Sequence, residues 1–537
     1  MSKPWNKSYP AHVATDIDVA PFASLTHMLD EALQRHAARP AITSLGRTTS
    51  YAELDLMSRR FAAWLQSQGV TKGDRVALML PNVLPFAVVA LGTLRAGAVM
   101  VTVNPLYTAR ELAHQLRDSG AETLVVFEAF TPTVAKALEE VSVKRLVVAG
   151  TGLAGMQPVS LPGQIPFGQT LVAGALTPFK PVDIHNDDLA FLQYTGGTTG
   201  VSKGAMLRHA NVQANVLQMS EWLKPRLPLE WLPGKSFATF LPLYHIFALT
   251  FCLFYGLRNG MHNIFVANPR DLPGAARELG GRPIHVLPGV NTLFGGLAQH
   301  KAVLDAINLK ELRMCVGGGT AVQQGVAERW LAATGVPIAE GYGLSETSPC
   351  ASVTDPTAQQ WSGTIGFPVP NTDMAILDDD GQEVAVGERG EIGIRGPQVM
   401  AGYWQRPEET AKVMTVDGYF KTGDVGVMDS SGAFKIVDRK KDMILVSGFN
   451  VFPNEIEDVV STLPGVLESA AIGVPDQKSG ESVKLFVVKS DPALTVERVL
   501  EHCKQNLTAY KNPRHIEFID ALPKSTVGKV LRRELRA

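Results

Sequence analysis

Eleven consecutive residues combine the groups that bind phosphate: Tyr194-Thr195-Gly196-Gly197-Thr198-Thr199-Gly200-Val201-Ser202-Lys203-Gly204. Glycines let backbone N–H groups converge on anionic oxygens, hydroxyls add donors, and Lys203 supplies charge. The chemistry they suit is capture of a nucleotide polyphosphate. The P-loop pattern of Gly, four residues, then Gly-Lys-Ser/Thr does not fit, because Val201 and Ser202 separate Gly200 from Lys203 and Gly204 follows. Gly150, Gly152 and Gly155 have dinucleotide-loop spacing, but Pro158, Pro162 and Pro166 bar the long helix such a site needs. That second match reads as chance.

A phosphate loop needs elements to hold it. The apolar run Leu189-Ala190-Phe191-Leu192 before it reads as a buried strand, and Met206 to Met219 after it has the length and residue types of a helix. Strand-like runs recur at Val76–Leu80, Thr123–Phe127, Phe237–Leu241, Ile284–Leu287 and Leu312–Val316, with helix-like segments such as Tyr51–Gln68 and Thr108–Asp118 between many of them. Alternation of this kind predicts layered α/β structure. After about residue 372, turn pairs at Asp380-Gly381, Asp417-Gly418 and Ser431-Gly432 punctuate short runs, which predicts hairpins and a β-rich subdomain. The last hundred residues read as a small α+β unit with helices over Pro453–Leu463 and Thr495–Leu507.

The bulk properties exclude several classes. The chain has 537 residues, enough for two to four units, and a formal charge of −2 from 50 basic and 52 acidic residues, so no field of one sign argues for nucleic acid. Cys252, Cys315, Cys350 and Cys503 show no CxxC spacing and read as reduced and buried, neither a disulfide frame nor a zinc site. The N-terminus carries no apolar signal core. The apolar run Phe86–Val103 is broken by Arg95 and by glycines, so a packed helix and strand explain it better than a membrane span. A cytoplasmic location is expected.

Four further segments accompany the phosphate loop. They are Val316–Thr320 with three glycines, Glu340-Gly341-Tyr342-Gly343-Leu344-Ser345-Glu346-Thr347, Gly418–Asp424 running on to Asp438–Asp442, and Pro523-Lys524-Ser525-Thr526-Val527-Gly528-Lys529. In this order they resemble the adenylate-forming superfamily of acyl-CoA synthetases, adenylation domains and luciferases, over nearly the whole chain. The stretches Asp417–Ile444, Leu241–Thr250 and Gly289–Phe294 look most like bacterial long-chain fatty-acid–CoA ligases.

The resemblance implies a large N-terminal domain, 1–440, of layered α/β subdomains plus a β-rich subdomain, and a small mobile α+β domain, 441–537. It implies ATP-dependent activation of a fatty acid to an acyl-adenylate, then transfer to coenzyme A, with Mg²⁺ present. Thr195, Gly196, Gly197, Thr198, Thr199, Gly200 and Lys203 would hold the phosphates, and Glu346, beside Thr347, would hold Mg²⁺. Gly317, Gly318, Gly319, Gly341, Tyr342 and Gly343 would wall the adenine, with Asp424 and Arg439 at the ribose. Lys529 would stabilise charge at the carboxylate and α-phosphate during adenylation. Lys441 would be the hinge for the second half-reaction, and Gly448 would line the thiol's tunnel. His245 would border the acyl pocket. Many members carry Lys where this chain has Leu445, so no catalytic role is carried to that position.

Each feature has a plainer reading when taken alone. Thr422-Gly423-Asp424 is turn chemistry, Arg439-Lys440-Lys441 a solvated charge run, and a partly buried His245 is as ordinary as a functional one. Other acids (medium-chain, aryl or terpenoid) are the alternative substrates. A carrier-bound amino-acid adenylation domain fits less well, since no Asp stands in Phe237–Thr250 to pair an ammonium and the 537 residues leave no room for a carrier. A non-catalytic nucleotide-binding regulator would have no evident need for Lys529. A homodimer and peripheral contact with the inner membrane face are left open, although no basic amphipathic helix compels the latter.

Overall fold

The apolar strand runs pair as their composition predicts, into two largely parallel sheets. The computed structural model describes residues 3–150, 158–195, 202–439, 442–447, 449–476, 479–525 and 528–536, with Arg439 as backbone only. Among these residues one sheet has seven strands in the order Ile165–Pro166, Arg145–Ala149, Thr123–Phe127, Arg75–Met79, Val99–Thr102, Leu189–Thr195 and Lys203–Arg208. All its pairs are parallel except the last, an edge hairpin in which Thr195 faces Lys203 across the phosphate loop. A second sheet of nine strands has a parallel centre that includes Ser236–Thr239, Val286–Gly289, Met314–Gly317 and Ile338–Gly343. Helices such as Tyr51–Ser67 and Leu84–Arg95 cover the sheets, which is why their strands read as unbroken apolar runs.

The run Phe86–Val103 is a core helix followed by the strand Val99–Thr102. Arg95, only 2% exposed, ends that helix on Asp30 and Asp55, so its charge is paired inside the fold. No helix among the described residues is long and apolar enough to cross a membrane. All four cysteines are free and buried.

One local expectation changes. The helix after the phosphate loop begins at His209, and Met206–Arg208 are still strand. The reason is that both edges of this segment are occupied. Met206 pairs with Leu192 on one side, and on the other it donates to the Gly402 carbonyl at 2.9 Å and accepts from Ala401 N–H at 2.9 Å. Lys203–Arg208 is therefore strand, and the helix waits until His209. The other strands fall within about two residues of their expected bounds.

The four antiparallel strands Asp373–Leu377, Arg389–Arg395, Phe420–Met428 and Phe434–Arg439 form the β-rich subdomain, with Ser431-Gly432 at a turn as the sequence indicates. The C-terminal unit packs the helices Pro453–Ser461 and Val496–Asn506 on a five-stranded sheet with its own apolar cluster around Val460, Leu485 and Val499. It meets the preceding domain closely at Gly325, where a Cβ would lie 2.2 Å from the Ser461 carbonyl oxygen. Only glycine fits there.

Candidate active site

The strand Ile338–Gly343 continues straight into the turn Ser345–Thr347, so one backbone passage carries Gly341, Tyr342, Gly343, Glu346 and Thr347. A cleft of about 160 Å³ lies against this strand, and Gly319, Tyr342 and Asp424 face it from the large domain. Gly528 and Lys529 line it from the C-terminal unit. Lys529 sits on a tight turn held by Ser525 N–H to the Lys529 carbonyl at 2.7 Å and Lys529 N–H to Ser525 Oγ at 3.1 Å.

The polar groups are oriented before any ligand arrives. Tyr342 Oη donates to Asp424 Oδ2 at 2.8 Å, which fixes a carboxylate that is 4% exposed. Thr422 Oγ1 accepts the Asp424 N–H at 3.1 Å, and Asp424 faces Arg439 in the strand register. Gly343 is obligatory, since a Cβ would sit 1.9 Å from the Pro349 carbonyl oxygen. Gly317 supports the cleft from behind, its Cβ position filled by Val322 and Ile338, while Gly318 abuts Phe247. Thr347 serves the turn, accepting Leu344 N–H at 2.9 Å and donating to the Pro349 carbonyl.

Glu346 is 7% exposed, and one carboxylate oxygen accepts the Tyr403 hydroxyl at 2.8 Å. Among the described residues no group of three His, Cys, Asp or Glu side chains could hold a metal ion. A buried carboxylate suits a hard cation that takes its other ligands from phosphate and water. Lys203 forms an ion pair with Glu409 from the helix Pro407–Val413, and its ammonium lies 5.2 Å from the Tyr403 ring centroid. Thr195 ends its strand with its carbonyl accepting Ser202 Oγ at 3.0 Å. Gly196, Gly197, Thr198, Thr199, Gly200, Lys441, Gly448 and the side chain of Arg439 lie outside the described residues.

Across Gly341–Gly343 a second, largely apolar cavity of about 50 Å³ shares that strand with the cleft. His245, Phe247, Phe251 and Met219 line it, and the helix behind it, Ala248–Tyr255, is wound in wide π turns. Burial, with the Lys529 charge adding to it, pushes His245 down to about 4. The ring is therefore neutral near pH 7, and its Nδ1 accepts the Phe247 N–H at 3.3 Å.

The sequence reading passed over Tyr403, whose only signal was a Gly-aromatic pair, Gly402-Tyr403, in a turn-rich stretch. It also passed over Glu340 and Asp458. Both line the cleft, one from each domain, and burial raises Glu340 to about 8 and Asp458 to about 7, each helped by a nearby carboxylate. Protonation lets two acidic groups share the domain interface.

Residues 29–404 match the AMP-binding enzyme family and residues 455–529 match the AMP-binding enzyme C-terminal domain. The chain belongs to the AMP-binding enzyme family. It is 47% identical to a long-chain-fatty-acid–CoA ligase of Escherichia coli O157:H7, over all of this chain and 98% of the relative. Identity to the Haemophilus influenzae protein of the same name is 45%, with the same coverage. A solved AMP-binding-type neighbour, a benzoate CoA ligase from Burkholderia xenovorans, is 26% identical and superposes with a TM-score of 0.85 over 96% of this chain and all of the other. The AMP-binding family match spans both faces of the cleft, with Lys529 the last residue of its C-terminal segment.

Proposed function

We infer that the chain is an AMP-forming fatty-acid–CoA ligase. It activates a long-chain fatty acid with ATP to an acyl-adenylate and transfers the acyl group to coenzyme A, releasing AMP and pyrophosphate. The observation that carries this reading is the shared wall Gly341–Gly343. On one side lies a polar cleft with Asp424 and Lys529, and on the other an apolar cavity with His245. A carboxylate with its chain in the apolar cavity meets the α-phosphate where those two spaces join. The near-identical coverage of the 45–47% identical ligases supports the long-chain substrate over medium-chain, aryl or terpenoid acids.

Both reactants are anionic, so the site must screen charge in a place that excludes water. Lys529 is read as holding the carboxylate and α-phosphate oxygens as charge builds in the transition state. The loop Thr195–Lys203 holds the departing phosphates, and Asp424 with Arg439 holds the ribose. Glu346 would hold Mg²⁺, which would supply charge to neutralise the leaving pyrophosphate. Neutral His245 offers a hydrogen bond at the head of the acyl cavity without adding charge. The Lys529 turn faces the cleft, which supports assigning this arrangement to adenylation. Thioester formation then needs the C-terminal domain, 441–537, to rotate about Lys441 and bring Gly448 to the thiol's path.

The test is CoA-dependent AMP release from ATP with acetate, octanoate, palmitate, oleate and phenylacetate. Turnover peaking at palmitate and oleate is expected. A peak at octanoate or phenylacetate moves the substrate, and no AMP with any acid sinks the reading. A peripheral contact with the membrane face and a homodimer are compatible with a long-chain substrate that partitions into bilayers. Vesicle sedimentation and light scattering decide those two.

A further inference from the structure

The segment Met400–Trp404 is joined to the phosphate side of the site through the backbone of Met400, Ala401, Gly402 and Trp404. Met400 N–H donates to the Glu346 carbonyl at 2.7 Å, Ala401 and Gly402 pair with Met206, and Trp404 N–H donates to the Gly204 carbonyl at 2.8 Å. The backbone of Tyr403 is thereby fixed between Glu346 and the strand that begins with Lys203. Its N–H is also used, on Thr410 Oγ1 at 2.9 Å. The side chain is 8% exposed and does two things at once. Its hydroxyl donates to Glu346 Oε1 at 2.8 Å, and its ring face carries the Lys203 ammonium at 5.2 Å.

A carboxylate that binds a cation must present one oxygen in a fixed direction. A phenol on its other oxygen locks the rotation without competing for the ion, because a phenol hydroxyl is a donor here. The ring offers Lys203 a second cation site beside Glu409, close to the phosphate loop.

We propose that Tyr403 is a positioning residue for the nucleotide's divalent cation: its hydroxyl orients the Glu346 carboxylate, and its ring holds Lys203 ready for the phosphates. The proposal rests on the reading of Glu346 as the metal carboxylate. It separates the two functions by atom. Tyr403→Phe removes the hydroxyl and keeps the ring, whereas Tyr403→Leu removes both.

The experiment measures Mn²⁺ binding by electron paramagnetic resonance to the full chain with a non-hydrolysable ATP analogue, beside Glu346→Gln. Losing a hydrogen bond to a charged group predicts Mn²⁺ affinity about tenfold to a hundredfold weaker in Tyr403→Phe. The affinity for the analogue without metal stays within twofold in Tyr403→Phe and falls in Tyr403→Leu. If Glu346→Gln weakens Mn²⁺ and Tyr403→Phe does not, the proposal is overturned while the metal reading stands. If Glu346→Gln leaves Mn²⁺ unchanged, the metal reading itself fails. A Tyr403→Phe protein with an unchanged melting temperature that loses thioester formation from supplied acyl-adenylate as much as adenylation would also overturn it, because a metal-positioning role spares that step.

Discussion

Gly528 offers a way to burden one conformation with a clash that the other lacks. A Cβ at this position would lie 2.6 Å from Thr292 Oγ1 and 3.0 Å from Val290 Cγ2, both in the other domain. Gly528 also has φ +76°, so Gly528→Ala strains the turn wherever the C-terminal domain sits. Only the clash depends on the conformation. Overpacking of this kind costs about 1–3 kcal/mol, and the Thr292 hydroxyl can rotate away, so the lower half of that range is expected. Adenylation should fall about 5- to 30-fold. Thioester formation from supplied acyl-adenylate should change by less than twofold. The assays are ATP–pyrophosphate exchange with palmitate and thioester formation from palmitoyl-adenylate. Thr292→Ala in the Gly528→Ala background removes the nearer contact and should restore part of the exchange rate, with Thr292→Ala alone as the control. Equal loss in both half-reactions, or no rescue, would refute the idea that Gly528 closes against Val290 and Thr292 only for adenylation.

Lys529→Ala should abolish pyrophosphate exchange and leave most thioester formation from acyl-adenylate, and a parallel loss in both would count against a role confined to the first step. Lys441→Pro should stiffen the proposed hinge, slowing thioester formation more than exchange, and equal slowing would place the hinge elsewhere. Burial holds His209, His245 and His262 each down to about 4, below the ordinary histidine value of about 6.5. The unfolded chain binds protons in that window and the folded chain does not, so stability is complete above pH 6.5 and is lost as pH falls towards 4, by at most about 3 kcal/mol per histidine. Glu340 and Asp458, raised to about 8 and about 7, act in the opposite direction over the same range, so the histidine contribution is read by comparison: the fall in urea midpoint from pH 7 to pH 5 should be smaller in His262→Gln than in the parent chain, and an equal fall would contradict it.

What could be read in the sequence was local chemistry and period. Thr123–Phe127 is a strand within a sheet covered by helices, so a fully buried run with four apolar residues behind Thr123 identified it to the residue. The helix Ala109–Ser119 was legible for a different reason: Thr108 and Glu111 form a capping box that marks its start. The start of the helix at His209 was not legible, because the strand before it is stabilised by Ala401 and Gly402, some two hundred residues away in the chain. The same distance hid Tyr403. Its partners Glu346 and Lys203 were each recognisable as chemistry, but nothing within a few residues of Tyr403 announces that the three meet. Glu340 was hidden by burial. Its carboxylate reads as charged in a string, and burial in the fold, with Asp458 of the other domain adding to it, raises it to about 8.

The hairpin Ile444–Val446 and Phe449–Val451 is the part of the C-terminal unit that the proposed rotation would have to employ. Leu445 is 47% exposed and Phe449 55% exposed, although the ring of Phe449 stacks on Tyr510 at 4.7 Å. Water contact of two large apolar side chains on one small hairpin is unfavourable, at about 25 cal/mol per Å². The Tyr510 stack recovers part of that cost, and the face of the C-terminal unit turned to the cleft is another one, which carries Asn454, Asp458 and Lys529. A rotation that withdraws Lys529 must present another face, and this hairpin, which carries Gly448 between its strands, is an apolar surface of the kind a domain interface buries. Leu445 fits that role better than a lysine would, since an ammonium there would have to be desolvated on closure.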